Sequence, residues 1–593
     1  MKTKSSPHRD IIEMKRSGKM IQKQEQEHSE EYSSTHAGTY RRTELEIEKK
    51  EEPLTILQDI TFTRVPYWFP NFHYKALKMN LVCPFHPEEG KKYPVIVWIC
   101  GGAWITMEKS AHLPFWTELA RKGYIIASVE YRMSSTKHFP AQLEDVKSAI
   151  RYLRAHAEEF HIDPERIAAA GESAGGHLAA LAGVTGNRKE FDVGENLEMS
   201  SRVQAVLDFY GPADFLSHAA EENEEKPESE EKPEFLMGPS PVEMLLGYAP
   251  EKHPEKARLA AALSYVNPDT PPFYIIHGTA DPIVPVEGSR NLAKKLEENG
   301  CSVKLVEIND AVHADPRIYQ KETRDEIEAF LKRVFAEPAP HFQEHVRMDR
   351  AIQEPFLTML ENIVFAQTPY WFPYYNYKDL DLDLLLPIQG KEGEKHPLLV
   401  WICGGAFLTM EKAAYLPWLM YFARAGYVIA SVQYRLSNVA KFPAPLEDVK
   451  KAIRFLHAHA EEFHIDKTKT VVGGESAGGY LASMTGLTND RKEYEAGEYL
   501  EESSHVDAVI DFYGPADSAA YGNVTKDAPP FFMAHGTGDT LVDCKGSDDF
   551  YEELKKNGIP VEFFVVKDAP HMGMEFYQKE MADRILGFLD RNL

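Results

Sequence analysis

Short apolar runs alternate with longer amphipathic stretches along most of the chain. In the first half the runs are PVIVWIC (Pro94–Cys100), YIIASVEY (Tyr124–Tyr131), RIAAAG (Arg166–Gly171), VQAVLDFY (Val203–Tyr210), PFYIIHG (Pro272–Gly278) and VKLVEI (Val303–Ile308). Most are apolar at consecutive positions, the mark of strands buried on both faces. Between them, LEDVKSAIRYLRAHAEEF places Leu143, Val146, Ile150 and Leu153 at helical spacing. Such alternation predicts an α/β fold with a mostly parallel sheet covered by helices on both sides.

The pattern is written twice. PYWFP occurs at Pro66–Pro70 and Pro369–Pro373, an offset of 303, and the same offset relates VWICGGAW to VWICGGAF, the two copies of HAEEFHID and the two copies of FYGPAD. From Pro271 and Pro529 onward the offset is 258, so the second copy is 45 residues shorter there. The extra stretch of the first copy includes the acidic run Glu221–Glu234, expected as a solvated loop, and Pro241–Pro250, which suits a helical cap. The expected organisation is a disordered tail over 1–53, one domain over 54–336 with a cap-like insertion near 216–268, a Pro- and charge-rich linker over 337–354, and a second domain over 355–593. The repeated aromatic stretch PYWFP fits core or interface packing better than a ligand entrance.

Composition narrows the function. Hydrophobic residues make up 43% and aromatics 11% of 593 residues, enough to build cores. A formal charge of −26 argues against tracking a nucleic-acid backbone. No apolar run is long enough for a secretory h-region or a membrane span, so a cytoplasmic protein without membrane partners is expected. The five cysteines are widely spaced without a CxxC pair or a neighbouring His cluster, which points to free thiols and no metal.

Against that background GESAGG, at Gly171–Gly176 and Gly474–Gly479, stands out. Each follows a strand and precedes an apolar helix, the context of a GxSxG turn that lifts a serine to the edge of a sheet. Ser173 and Ser476 are thus candidate nucleophiles. A neutral serine needs a base held by a third group. HGTADPIVP supplies Asp281 and AVHADP supplies His313; HGTGDTLVD and DAPHMGM supply Asp539 and His571. Acid and base are 32 residues apart in both copies. His177 is set aside because its counterpart is Tyr480, and His277 and His535 are expected to orient the acid loop. Candidate oxyanion donors are the backbone amides of Ala174 and Ala477, with Gly102, Ala103, Gly405 and Ala406 in the CGGA loops after an earlier strand.

With these pieces in order, each copy resembles the α/β-hydrolases, nearest the hormone-sensitive-lipase-like and the feruloyl or acetyl-xylan esterase-like carboxylesterases. The resemblance covers most of 54–336 and 355–593. It departs at the oxyanion loop, where Cys100 and Cys403 stand at the position often held by histidine. It implies hydrolysis of short acyl or aromatic acyl esters, including esters of plant-derived oligosaccharides, through an acyl-enzyme and without cofactor. Contact between the two domains is compatible with it. Two alternatives stay open: an amidase or peptidase-type serine hydrolase, and a copy that serves only as a binding module.

Overall fold

The computed structural model describes residues 40–66, 73–216, 239–336, 341–369, 377–388 and 393–593. The PYWFP stretches beyond Pro66 and Pro369, the acidic run and most of the expected tail lie outside these residues.

The strands run in chain order as β1 (Tyr40–Leu45), β2 (Leu54–Pro66), β3 (Tyr74–Pro84), β4 (Tyr93–Ile99), β5 (Ile125–Val129), β6 (Ile162–Glu172), β7 (Ala205–Phe209), β8 (Phe273–Gly278), β9 (Val303–Ile308) and β10 (Gln343–Met348). The second half repeats them as β11 (Leu357–Pro369), β12 (Tyr377–Pro387), β13 (His396–Ile402), β14 (Val428–Val432), β15 (Ile465–Glu475), β16 (Ala508–Phe512), β17 (Phe531–Gly536) and β18 (Val561–Val566). They form two nine-stranded sheets in the orders β2-β3-β5-β4-β6-β7-β8-β9-β10 and β11-β12-β14-β13-β15-β16-β17-β18-β1. The β2–β3 and β3–β5 pairs and their counterparts are antiparallel; the strands from β4 to β10 pair in parallel. Every apolar run read from the sequence lies in a strand, and Leu143 to Leu153 lie in the helix Ala141–Ala155.

The edge strands correct the reading of the connecting segments. β10 sits inside 337–354, expected as linker, and β1 inside 1–53, expected as disordered tail. They are related by the same offset of 303, and they are exchanged: β1, which precedes the first copy, completes the second copy's sheet, and β10, which precedes the second copy, completes the first copy's sheet. After each strand the chain crosses back to its own copy along an arm. The amides of Lys50 and Glu51 donate to Gln578 Oε1, both at 2.9 Å, and those of Gln353 and Glu354 donate to Gln320 Oε1 at 2.7 and 3.1 Å. Both strands are polar because an edge strand buries little, so neither carries the apolar signal of an inner strand.

The copies are joined through their cores as well. One continuous apolar cluster passes from Trp98, Trp116 and Tyr319 of the first copy to Trp401, Trp418 and Tyr577 of the second, while the opposite face of each sheet has its own cluster. Around the seam, corresponding positions meet: Gln58 Nε2 lies 3.3 Å from Glu361 Oε2, and the two residues are 303 apart. Gln58 also donates to Asp383 (2.9 Å), and Asn80 and Ser110 donate to Glu361 at 2.7 and 2.8 Å. The buried Lys109 ammonium contacts Glu361 and Asp59, and Lys412 contacts Asp383 and Asn362. Thus Gln58 and Asn80 in one copy face the carboxylates Glu361 and Asp383 that hold the same positions in the other.

Candidate active site

Strand β6 ends at Glu172 and the helix Ala174–Val184 begins one residue later, leaving Ser173 alone on the turn with φ 49° and ψ −120°. Ser476 repeats this at φ 55° and ψ −121° between β15 and the helix Ala477–Leu487. A side chain at positive φ is strained, and such strain persists only where the surroundings fix it. Here they do. The Ser173 amide donates to Phe209 O and the Ser476 amide to Phe512 O, both at 2.9 Å. A Cβ at Gly175 would lie 1.9 Å from Ile99 O, so no other residue lets the helix approach β4 this closely.

The acid and base arrive from the ends of β8 and β9. Asp281 follows β8, and its Oδ1 accepts the amides of Ile283 and Val284, each at 2.9 Å, which closes the loop around it. Its Oδ2 lies 2.7 Å from His313 Nδ1, and His313 Nε2 lies 3.0 Å from Ser173 Oγ. In the second copy Asp539 Oδ2 is 2.6 Å from His571 Nδ1, and His571 Nε2 is 2.9 Å from Ser476 Oγ. All six side chains singled out in the sequence are therefore brought together as two matching relays. Burial opposes ionisation of Asp281, but hydrogen bonds from His277, His313 and the Val284 amide outweigh it and hold the carboxyl well below its ordinary range. Asp539 is lowered too, against burial, by the amides of Val542 and Leu541 and by His571. Each acid is thus a carboxylate at neutral pH, and it fixes the histidine tautomer with Nδ1–H toward the acid and Nε2 free to accept from serine.

His277 and His535 support the acid loops. His277 Nε2 donates to Val284 O (2.8 Å) while Nδ1 accepts from Ser289 (2.7 Å); His535 repeats this with Val542 O and Ser547 and also approaches Asp539 at 3.1 Å. His177 is fully buried, with Nε2 2.6 Å from Ala260 O of the insertion, and burial pushes its pKa down to about 4.

The CGGA loops follow β4 and β13 and turn sharply. Gly102 has φ 112° and accepts from the amides of Ile105 and Thr106, and Ala103 follows at φ 53°; Gly405 and Ala406 repeat this at 117° and 54°. Ala174 and Ala477 open their helices, where first-turn amides have no partner within the helix. These amides sit beside the serines, as an oxyanion site requires. The cysteine at the head of each loop is buried, and the loop is oriented instead through its carbonyl: Tyr131 donates to Cys100 O (3.0 Å) and Tyr434 to Cys403 O (2.9 Å).

The buried residue just before each serine went unremarked in the sequence. Glu172 Oε1 accepts the Gly101 amide (3.3 Å), and its Oε2 accepts the hydroxyls of Tyr210 (2.5 Å) and Tyr319 (2.7 Å). Glu475 accepts the Gly404 amide and has Tyr415 as a hydroxyl partner. The signal was present, since Glu172 and Tyr210 both lie inside the repeated motifs GESAGG and FYGPAD.

The surroundings differ more than the relays. The described part of the insertion is a chain of short helices, opened by Pro241–Leu246. Ser240 caps that helix by accepting from the Glu243 amide while Glu243 accepts from the Ser240 amide, and Gly247 at φ 79° ends it. Leu245 O accepts the amide of Phe139 (2.8 Å) at the rim of the first site. In the second copy the matching Phe442, 6.4 Å from Tyr480, is 45% exposed, and Leu408 is 65% exposed against 38% for its counterpart Ile105.

The BD-FAE family model matches residues 82–296 and 382–524, together more than half of the chain. Among curated proteins, the chain is 33% identical over 225 residues to the esterase LipC of Mycobacterium tuberculosis, covering 38% of this chain and 53% of that protein. It is 33% identical over 264 residues to the probable carboxylic ester hydrolase LipM of the same organism, covering 42% and 57%. The chain spans about half the length of these relatives. A solved structure, a truncated carbohydrate esterase from gut microbiota, is similar at 26% identity with a TM-score of 0.41, over 49% of this chain and 99% of that one.

Proposed function

Since the chain belongs to the BD-FAE family, we propose that it is a serine carboxylesterase with two working sites, Ser173-Asp281-His313 and Ser476-Asp539-His571. The observation that carries this reading is the unbroken relay in each copy, acid to imidazole to serine, with every step between 2.6 and 3.0 Å. In each site the histidine Nε2 takes the serine proton as Oγ bonds to the ester carbonyl carbon. The carbonyl oxygen becomes an oxyanion facing the amides of Ala103 and Ala174, or of Ala406 and Ala477. The C–O bond to the alcohol then breaks, the alcohol leaves with the proton from Nε2, and an acyl-serine remains. Water repeats the sequence and releases the acid.

Short acyl and aromatic acyl esters are the proposed substrates. The exposed Phe442 and Leu408 of the second copy favour a bulky alcohol such as an oligosaccharide there, while in the first copy Phe139 is tied to the insertion. The test is labelling of the full chain with a fluorophosphonate, counted by intact mass, alongside turnover of p-nitrophenyl esters and of matched amides. Two adducts and a preference for esters are expected. One adduct assigns a single working copy, and no adduct, or faster cleavage of the amides, overturns the reading.

A further inference from the structure

The two copies keep the same serine, acid and base but differ behind the oxyanion loop. Glu172 is buried under that loop, and the groups facing it are the Gly101 amide, the hydroxyls of Tyr210 and Tyr319, the Cys100 thiol and His112, whose Nδ1 lies 3.4 Å from Oε1. Glu475 is held in the same way by the Gly404 amide, with Tyr513, Tyr577 and the Cys403 thiol around it, but the position of His112 is taken by Tyr415. The first carboxyl thus has an imidazole beside it and accepts from two tyrosines, whereas among the described residues the second has the Gly404 amide, phenols and a thiol around it, with Tyr513 bonded to Tyr577.

The contact with the loop is close in both copies. A Cβ at Gly101 would lie 3.2 Å from Ser173 Cβ and 3.3 Å from Glu172 Oε1, and one at Gly404 would lie within 3 Å of both Glu475 carboxylate oxygens. The glutamate, which directly precedes the serine, therefore holds the first glycine of the CGGA loop. The cluster is also packed by the other copy. Phe356, at the end of the second copy's arm, lies 5.7 Å from the His112 ring and 5.2 Å from that of Tyr319, which stack on each other at 4.8 Å; in the second copy Tyr415 stacks on Tyr577 at 4.8 Å with Phe85 of the first copy at 6.2 Å.

We propose that Glu172 and Glu475 are positioning residues for their oxyanion loops, and that the replacement of His112 by Tyr415 makes anchoring of the second loop, but not the first, depend on pH between neutral and mildly alkaline. The inference rests on the serine-hydrolase reading above and deepens it. An ionised carboxylate holds an amide by a charge-assisted hydrogen bond, and a protonated one holds it more weakly. For Glu172, burial favours the neutral form, but the His112 imidazole, the two tyrosine hydroxyls and the Gly101 amide outweigh it and hold the carboxyl below its ordinary range. For Glu475, burial dominates, the Gly404 amide and the Tyr415 hydroxyl offset it only in part, and the pKa is pushed up to about 8. Below that pH the second loop loses the charged acceptor; above it the anchor forms.

The experiment follows the rate of fluorophosphonate labelling at Ser173 and at Ser476 separately, by peptide mass, in the intact chain across pH 6 to 10. Reaction at Ser476 is expected to rise about tenfold between pH 7 and 9, following ionisation of a group near 8, and reaction at Ser173 no more than about twofold once its histidine is neutral. Tyr415→His is expected to give Ser476 the profile of Ser173. Tyr415→Phe, which removes only the hydroxyl donor, is expected to move the Ser476 inflection to higher pH, and it covers the case in which the histidine variant fails to fold. Coincident profiles at the two serines, or a Ser476 profile that neither variant moves, overturn the inference while leaving the esterase reading intact. Absence of labelling at both serines overturns the two together.

Discussion

The two halves of this chain agree in the Asp-His-Ser relay and disagree one layer out. The acid-to-base and base-to-serine distances match within about 0.1 Å between copies, yet Trp104 corresponds to Phe407, His177 to Tyr480 and His112 to Tyr415, and one copy carries 45 residues that the other lacks. Geometry that must be held to fractions of an ångström tolerates few changes. The surrounding shell sets access, pocket shape and the titration of supporting groups, and it has diverged. The same division runs along the seam, where Gln58 and Asn80 of one copy face the carboxylates Glu361 and Asp383 of the other. Two identical copies would bring like groups together there. The halves have become complementary to each other.

The sharpest way to break the comparison is to silence one half at a time. Ser173→Ala and Ser476→Ala are each expected to remove one fluorophosphonate adduct and to lower turnover at the altered site by about 10⁶-fold, so that the remaining esterase activity belongs to the other copy. Intact mass and p-nitrophenyl acetate hydrolysis read this directly. If either variant keeps the parent's full activity and its twin keeps none, the halves do not share the chemistry and the match of their relays is a relic. Asp281→Asn and Asp539→Asn should each cost the corresponding site about 10⁴-fold, because the amide favours the wrong histidine tautomer. Each would be measured with the other site's serine replaced.

How much of this was legible in the residues depends on burial. The inner strands announce themselves because burial on both faces forces continuous apolar runs such as Val95–Ile99, and the nucleophile turn announces itself because Gly171 and Gly175 cannot be replaced where backbones nearly touch. The acid and base were readable because both copies keep the spacing between them. β1 and β10 were not, since an edge strand with one wet side looks like any charged loop. Their exchange was further out of reach, because no local pattern says which sheet an edge strand joins. Glu172 was readable in principle, as a repeated acidic residue beside a serine, but only burial and its tyrosine partners give it a role.

The seam gives a test of intermediate size. Gln58→Glu would set a third carboxylate against Glu361 and Asp383 in a region where the side chains are largely dry. Unpaired buried charge is costly, and the expected loss is about 3 kcal/mol of stability, read as a lower denaturant midpoint. The reverse change, Glu361→Gln, removes the charge from the acceptor that Lys109, Asn80 and Ser110 share, and is expected to cost less, because Lys109 keeps its contact with Asp59 at 3.1 Å. If both variants melt like the parent, the complementarity across the seam contributes nothing to holding the halves together.

The smallest expected effect bears on the insertion. His177 projects from the nucleophile helix, stands edge-on to Trp104 and Phe215 at 5.3 and 5.0 Å, and reaches Ala260 O at 2.6 Å. Its ring is neutral because burial holds its pKa near 4, so Nε2 is the donor in that contact and Ala260 has no need of a charged partner. His177→Phe keeps the aromatic packing and removes the donor, leaving the Ala260 carbonyl buried without this bond, a penalty of about 1–3 kcal/mol borne by docking of the insertion rather than by the sheet. A more loosely held insertion makes the first site resemble the second, which lacks those 45 residues. In the Ser476→Ala background, the ratio of kcat/KM for p-nitrophenyl octanoate to that for the acetate should therefore move severalfold toward the value measured for the second site alone, with kcat on the acetate within about twofold of the parent. Because the relay atoms are untouched, a fall in kcat on every ester to the same degree would mean that His177 supports the nucleophile turn itself and that the insertion does not set the difference between the sites.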